Sequence, residues 1–380
     1  LRKSFKYRIY PNKEQVGALD SQLREACDLY NCALEERIGA YRICRKSINY
    51  YDQANQLKPM RAEGLVGVAN FSCCQDILRR LDKTFKAFFG RIKRGERAGF
   101  PRFKSNRRYR SLTFPSYGDG CRLDGRLVRI QGVGEIKAKL HRPVDGKIKT
   151  VTIKRDAGRW FVVFSVECAA APMPASDRAI GLDVGLTAFA TLSDGTEIDN
   201  PRLYRHAQRR LRVAQRRVAR RTNKRSNRRR KAVALLQRHH AHIQNQRSDF
   251  QHKASRTLVN TYGVIVAEDL NIKGLASGML AKSVNDAGWG YFLGILAYKA
   301  ESAGREFIKV DPRGTSQTCT CGQRVPKTLS ERWHLCPSCG LSQSRDHVSA
   351  QVILRLGLSL RSLTGPEVRA SVLREAVCFS

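Results

Sequence analysis

The chain's 380 residues exceed one ordinary core, so two to four domains or subdomains are expected, and 42% hydrophobic with 27% charged residues excludes a disordered chain. A count of 70 Lys+Arg against 33 Asp+Glu leaves a net charge of +37, which asks for a polyanion; spread over whole domains, these residues speak against a membrane surface. No apolar run reaches a membrane span and no charged-then-apolar signal peptide opens the sequence, so the chain reads as cytoplasmic, with Leu1 a processed or alternative start.

Residues 1–10, "LRKSFKYRIY", alternate basic and apolar side chains as a strand does, and Pro11 stops it. From Asn12 to about Gly90 the pattern is helical. Leu19, Leu23, Ala26, Tyr30, Leu34 and Ile38 recur every three or four residues, as do Leu78, Leu81, Phe85, Phe88 and Phe89. This predicts a helical bundle packing its own core. Helical character ends in "RGERAGFPRFKSNRRYR", residues 94–110, and strand-like runs follow at 126–130, 136–140, 149–155 and 159–168. Gly and Asp-Gly turns separate them, which predicts a small barrel or sheet that the strand at 1–10 could join. The Pro/Ala stretch "AAAPMPASD", residues 169–177, is the clearest domain boundary.

Beyond Arg178 strands and helices mix. "AIGLDVGLTAFATL", residues 179–192, reads as two buried strands interrupted by Asp183. An ionised carboxylate taken out of water costs several kcal/mol unless something compensates it. Asp183 is therefore a turn residue, a salt-bridge partner or a cation ligand. Between Arg202 and Ser248 there is no Asp or Glu, while Tyr204, Ala207, Leu211, Ala214 and Val218 keep a helical stripe. Two basic helices joined near Thr222–Asn227 are expected. With no acids present to form bridges, Arg209, Arg210, Arg216, Arg217, Arg220 and Arg221 are read as phosphate contacts.

"YGVIVAEDLNIKGL", residues 262–275, is another buried strand, with Glu268 at its end, and "SRDHVSAQVILRL", residues 344–356, sets Asp346 in the first turn of an amphipathic helix. Singly each acid reads as structural. Together, in one mixed region of a very basic chain, Asp183, Glu268 and Asp346 suit a pair of Mg²⁺ or Mn²⁺ ions acting on a phosphodiester. Of the 12 cysteines, eight read as scattered thiols, among them Cys27, Cys32, Cys73 and Cys168. The other four, Cys319, Cys321, Cys336 and Cys339, are clustered and predict a closed structural Zn²⁺ site, with His334 as a substitute ligand or a packing residue. The tail after about Leu360 has weak periodicity and is a candidate for disorder.

Taken in order, "IGLDVGL", "VAEDL", "TSQTCTCG…CPSCGL" and "RDHVSA" resemble the TnpB (OrfB) proteins of bacterial and archaeal insertion sequences, relatives of type V CRISPR effectors. "KYRIYPNKEQ", "LDKTFKAFFGRIKR", "AGFPRFK" and "VNDAGWGYF" extend the resemblance over nearly the whole chain. It implies a multidomain α+β protein. An OB-like β-barrel wedge would take residues 1–10 plus 100–176, and a helical recognition lobe 11–99. An RNase H-like (RuvC) α/β nuclease domain would take 177–314 plus 344–360, with a zinc ribbon inserted at 315–343 and a tail at 361–380.

The resemblance further implies an RNA-guided DNA endonuclease with catalytic acids at Asp183, Glu268 and Asp346. Its partners would be a guide RNA from the element's own end and double-stranded target DNA beside a short flanking motif. The assembly would be a monomeric ribonucleoprotein, with a dimer as the alternative, in the prokaryotic cytoplasm and at the nucleoid when bound to DNA. By position Tyr50 and Gln75 match two readers of the flanking motif, and Phe71 stands where a basic reader is expected. The family's D-R-D-x-N-A-A is here Ser344-Arg345-Asp346-His347-Val348-Ser349-Ala350, and its first cysteine pair is shortened to C-x-C. Rival readings are a guide-RNA-dependent DNA-binding repressor with weak or no cleavage, a zinc-containing RNA-binding protein and a DNA transposase.

Overall fold

The computed structural model describes residues 1–328 and 330–363. Its contacts divide the chain into two compact units, Leu1–Ala169 and the residues from Ala170 onward.

The first unit opens with β1 (Arg2–Tyr10), α1 (Lys13–Cys44), α2 (Tyr50–Ala62) and α3 (Phe71–Lys93). Asn12 and Gln15 form a reciprocal cap on α1, Asn49 and Asp52 do the same for α2, and Asn70 accepts from the Cys73 N–H of α3. The long helical stretch is thus three helices, the first ending where Arg45 turns left-handed at φ 53°. Six strands follow: β2 (Ser111–Phe114), β3 (Cys121–Asp124), β4 (Leu127–Ile130), β5 (Gly134–Lys139), β6 (Lys147–Asp156) and β7 (Arg159–Glu167).

Among the described residues these six and β1 form one antiparallel sheet in the order β2-β6-β7-β1-β5-β4-β3, the sheet of the OB-like wedge. Alternation sets its face: Phe5, Tyr7 and Ile9 of β1 and Trp160, Val162, Phe164 and Val166 of β7 are buried. The helices do not close a core of their own, as their periodicity alone suggested. Leu19, Leu23, Leu34, Ile77 and Leu81 share one core with the sheet, because a single-faced sheet and amphipathic helices bury each other's apolar sides. Phe89 also leaves the predicted stripe: it is 53% exposed and joins Phe85, Phe88 and Phe100 in a surface aromatic group.

The second unit carries β8 (Ala179–Val184), β9 (Ala188–Leu192), β10 (Glu197–Asp199), α4 (Leu203–Ala219), α5 (Asn227–Thr261) and β11 (Val264–Glu268). It continues through α6 (Ile272–Leu275), α7 (Ala281–Ala287), α8 (Trp289–Ser302) and β12 (Glu306–Val310). A 3₁₀ turn (Thr315–Gln317), β13 (Trp333–Leu335), β14 (Ser342–Ser344) and α9 (Arg345–Leu363) complete it. The sheet order is β10-β9-β8-β11-β12, with β8, β11 and β12 parallel and the β8-β9-β10 meander antiparallel. This is the RNase H-like domain, and the cysteine-bearing ribbon is inserted between β12 and α9. Helix α9 continues through residues 361–363, where Arg361 pairs with Glu306 at 3.0 Å, so the tail proposed from 361 begins as helix; 364–380 lie outside the described residues.

Both faces of this sheet are covered, which explains near-continuous apolar strands. Ile180, Leu182, Ile265 and Ala267 pack with Leu258 of α5 and Phe292 and Leu296 of α8. Val264 and Val266 on the alternate face pack with Ile353 and Leu354 of α9. There α9 comes so close that a Cβ on Gly181 would lie 2.1 Å from the Ala350 carbonyl oxygen, and one on Gly357 would lie 2.4 Å from a Val266 methyl. Among the described residues no helix is long and apolar enough to cross a membrane.

Gly181→Ala should force α9 off the sheet and cost about 2–3 kcal/mol as an overpacked backbone contact. Gly294→Ala, in α8 with nothing within 4 Å of its Cβ position, should instead stabilise by about 0.5–1 kcal/mol. Urea unfolding of the two variants checks both signs; equal effects would mean that α9 does not sit on β8 as described.

Candidate active site and metal centre

Strands β8 and β11 run parallel with Leu182 beside Ala267, so Asp183 and Glu268 are the next register neighbours at the strands' C-terminal ends. Neighbouring strands lie about 4.8 Å apart and side chains alternate faces. Asp183 shares its face with Gly181, and Glu268 shares its face with Val266. Both therefore stand on the side that α9 crosses. Asp346, in the first turn of α9, completes the set, favoured there by the helix N-terminal dipole. Ser344, in place of the family's first acid, accepts from the His347 N–H at 3.3 Å and caps this helix. Val348 is 1% exposed, so the exchanged Asn position faces the core.

The electrostatics agree with this convergence. Burial first, then the charges of Glu268 and Asp346, raise the Asp183 carboxyl well above its usual value, with Arg345 pulling the other way. Burial also raises Glu268, opposed by a hydrogen bond from Thr315 Oγ1 to Glu268 Oε1 at 2.5 Å. Asp346 meets Arg345 Nε at 3.2 Å and Arg332 at 3.8 Å. Two buried carboxylates, Asp183 and Glu268, with the part-exposed Asp346 near enough for its charge to act on Asp183, are the kind of oxygen donors that hard divalent cations take. Thr315, Arg332 and Arg345 escaped the sequence reading; the only signal was that Thr315 and Arg345 flank the ribbon.

In the ribbon the four cysteine sulfurs lie within 4.8 Å of one another, with Cys319–Cys339 at 3.6 Å and Cys321–Cys336 at 3.7 Å. Tetrahedral Zn–S bonds of about 2.3 Å separate sulfurs by about 3.8 Å, so the set fits zinc. The short C-x-C still makes a knuckle, since Gly322, at φ 98°, returns its N–H to the Cys319 carbonyl. The N–H groups of Cys339 and Ser338 aim at Cys336 and lower its thiol to about 6, favouring the ligand form. His334 is buried outside the cysteine cluster, its Nδ1 facing Lys327 Nζ.

Helices α4 and α5 line a cleft of about 420 Å³ with Arg209, Arg210, Val213, Arg217 and His239. Arg216 and Arg220 are also exposed. Arg221 is half-buried and donates to the Arg217 carbonyl, and Arg229 caps α4 through the carbonyls of Val218 and Arg221. Arg221 thus has a structural task beside any phosphate contact. Asp286 of α7 accepts from the Tyr204 and Arg205 N–H groups at the start of α4 and pairs with Arg247 at 3.0 Å. It supplies from afar the acid that residues 202–248 lack. In the first unit, Tyr50 lies half-buried at the start of α2 under the Arg79 guanidinium, 5.2 Å from its ring. Arg79 is one turn from half-buried Gln75 and two from exposed Phe71 on α3, so these residues form one patch.

Family models match three stretches: "Probable transposase" over residues 161–278, "Cas12f1-like, TNB domain" over 289–353 and "Helix-turn-helix domain" over 1–46. In this chain the last span holds β1 and the single unbroken helix α1. A protein of Streptomyces pristinaespiralis described as "Putative RNA-guided DNA endonuclease" is 34% identical over 369 residues, covering 94% of this chain and 90% of its own length. The chain belongs to the TnpB (OrfB) family. "Putative RNA-guided DNA endonuclease InsQ" of Escherichia coli (strain K12) is 29% identical, covering 93% of this chain and 92% of itself. In fold the chain is similar to a mini-RNA-guided endonuclease, CRISPR-Cas phi3, at a TM-score of 0.50 and 10% identity, over 96% of this chain and 94% of that one.

The raised Asp183 carboxyl gives this TnpB-family chain a defined pH signature. Unfolded, Asp183 ionises near 3.8; in the metal-free fold it ionises at higher pH. Its contribution to stability is fully present below 3.8 and is lost as pH rises toward the folded value. Asp183→Asn should therefore match the metal-free wild type in strongly acidic buffer and exceed it increasingly toward neutral pH. Denaturation midpoints across that range test this; a constant difference would remove the electrostatic reading.

Proposed function

We propose that this chain is an RNA-guided DNA endonuclease of a transposable element, cutting double-stranded target DNA beside a short flanking motif. The observation that carries the reading is the pairing of Asp183 with Glu268 at adjacent parallel strand ends beneath the helix that bears Asp346. These three carboxylates would hold Mg²⁺ ions, which when bound activate water and stabilise the leaving oxygen of a phosphodiester. The chain's own part is to converge the acids, exclude bulk water from Asp183 and bind the polyanion around them. Guide and target phosphates would lie along the exposed arginines of α4 and α5 (Arg209, Arg210, Arg216, Arg217 and Arg220), with Arg221 at the helix end. Base pairing would read the sequence, and the patch of Tyr50, Gln75 and Arg79 would read the flanking motif. Cys319, Cys321, Cys336 and Cys339 would hold one structural Zn²⁺. The protein would work as a monomeric ribonucleoprotein in the prokaryotic cytoplasm, at the nucleoid when bound to target.

The repressor reading would give the acids no need to converge, and the charges of Glu268 and Asp346 acting on the Asp183 carboxyl favour the nuclease reading over it.

Asp183→Ala should abolish cleavage of a matched target while leaving RNA and target binding within about twofold, because the change removes a metal ligand and no phosphate contact. Cleavage assays beside filter binding test it, and a variant that still cuts sinks the assignment. Metal analysis should find about one Zn per chain. Cys336→Ser with Cys339→Ser should lose it and unfold the ribbon; retention of zinc in that variant would move the site elsewhere.

A further inference from the structure

We propose that Thr315 is a positioning residue for the nuclease centre: its hydroxyl holds Glu268 Oε1 and so fixes the orientation of the carboxylate that would help hold the divalent cations. The inference rests on the nuclease reading above and adds a residue that the acids alone do not reveal. Thr315 is 4% exposed and opens the 3₁₀ turn from which the ribbon springs. Its Oγ1 lies 2.5 Å from Glu268 Oε1 and 3.1 Å from the Pro312 carbonyl oxygen.

A hydroxyl has one proton, and both neighbours can accept it. The carbonyl is neutral, whereas an ionised Glu268 draws the proton through a charge-assisted bond, the stronger of the two. The same bond fixes which carboxylate oxygen is engaged. Thr is also stiff at χ1, so the methyl and hydroxyl keep their places without relying on the carboxylate. The turn itself is tied down independently: the Gln317 N–H returns to the Gly314 carbonyl, and Thr318 Oγ1 donates to the same oxygen at 2.8 Å. Thr315 is thus braced by the root of the ribbon and reaches Glu268 across a sequence separation of 47 residues. Partners of this kind tune the affinity of a metal site by holding its ligands in one orientation.

The test uses the full, zinc-loaded chain freed of RNA, with Mn²⁺ as probe, bound ion being read by electron paramagnetic resonance. Thr315→Val keeps the shape and deletes the hydroxyl; Thr315→Ser keeps the hydroxyl and deletes the methyl. Glu268→Gln serves as the reference for the site. Thr315→Val should weaken Mn²⁺ binding about 10–100-fold with unchanged zinc content and unfolding midpoint, while Thr315→Ser stays within about threefold of wild type. Should Val disturb the turn and release zinc, Thr315→Ala provides the same deletion in a smaller side chain and carries the same expectation. If Glu268→Gln loses Mn²⁺ but the hydroxyl-deleted variant binds as wild type, the role of Thr315 is refuted and the nuclease centre stands. A Ser variant as weak as Val makes Thr315 a shape residue and also refutes it. Unaltered Mn²⁺ binding in Glu268→Gln overturns the metal centre and this inference together.

Discussion

The near-contact of two backbones, α9 on β8 at Gly181, is the constraint on which the second unit depends. A side chain there would strike the Ala350 carbonyl, and Gly357 grants the same intimacy over Val266 two turns further along α9. With no side chain at either glycine to hold them apart, helix and sheet meet closely at these two points and so have a fixed crossing. That crossing brings the first turn of α9 to the C-terminal ends of β8 and β11. Asp346 arrives beside Asp183 and Glu268 because of two glycines that carry no chemistry themselves. The resulting repulsion is a cost that the apolar packing of Val266, Val310 and Ile353 must outweigh in the absence of cations.

The ribbon is more than an appendage to this arrangement, since both of its ends touch the acids. At its entry Thr315 reaches Glu268; at its exit Arg345 contacts Asp346, and its backbone N–H returns to the Arg332 carbonyl within the ribbon. Arg355 of α9 also donates to the Thr320 carbonyl between the first two cysteines. A ribbon folded around a metal would fix the spacing between entry and exit, and with it the contacts made to Glu268 and Asp346. The four-cysteine cluster and the acids are separate sites joined by these two contacts.

What was legible in the sequence follows from the range of the forces involved. Asp183 and Glu268 stood out because strand patterning is local and a carboxylate breaks it visibly. The cysteines stood out because their spacing is itself the ligand geometry, and even the short C-x-C closed its turn. The basic helices were readable from their stripe, including the break between Ala219 and Asn227. Strands β2, β3, β10 and β12 were missed: the first three are four residues or fewer, and pairing rather than composition makes them strands. Asp286 could not be read as the cap of α4, because the partner lies some 80 residues away and nothing local marks it. Arg221 was read as a phosphate ligand for the converse reason, since composition shows charge but not the carbonyl that its guanidinium already serves. The common core of α1–α3 and the seven-stranded sheet was hidden similarly, for an amphipathic helix does not say which apolar surface covers it.

The acid-free stretch from Arg202 to Ser248 leaves one more consequence in the energetics. Helix α4 begins with arginines beside its positive dipole end, an unfavourable placement that Asp286 offsets through two backbone N–H groups and the Arg247 ion pair. At the other end Arg229 gives its guanidinium to carbonyls, where a cation is favoured. Between these two fixed points Arg209, Arg210, Arg216 and Arg217 repel one another with no partner supplied by their own stretch of chain. A polyanion laid against them would relieve that repulsion, and to the extent that it binds the folded arrangement more tightly than the unfolded chain it would stabilise the helix pair by mass action. On the proposed reading the fold contributes the pins at the helix ends and the ligand would contribute the missing negative charge.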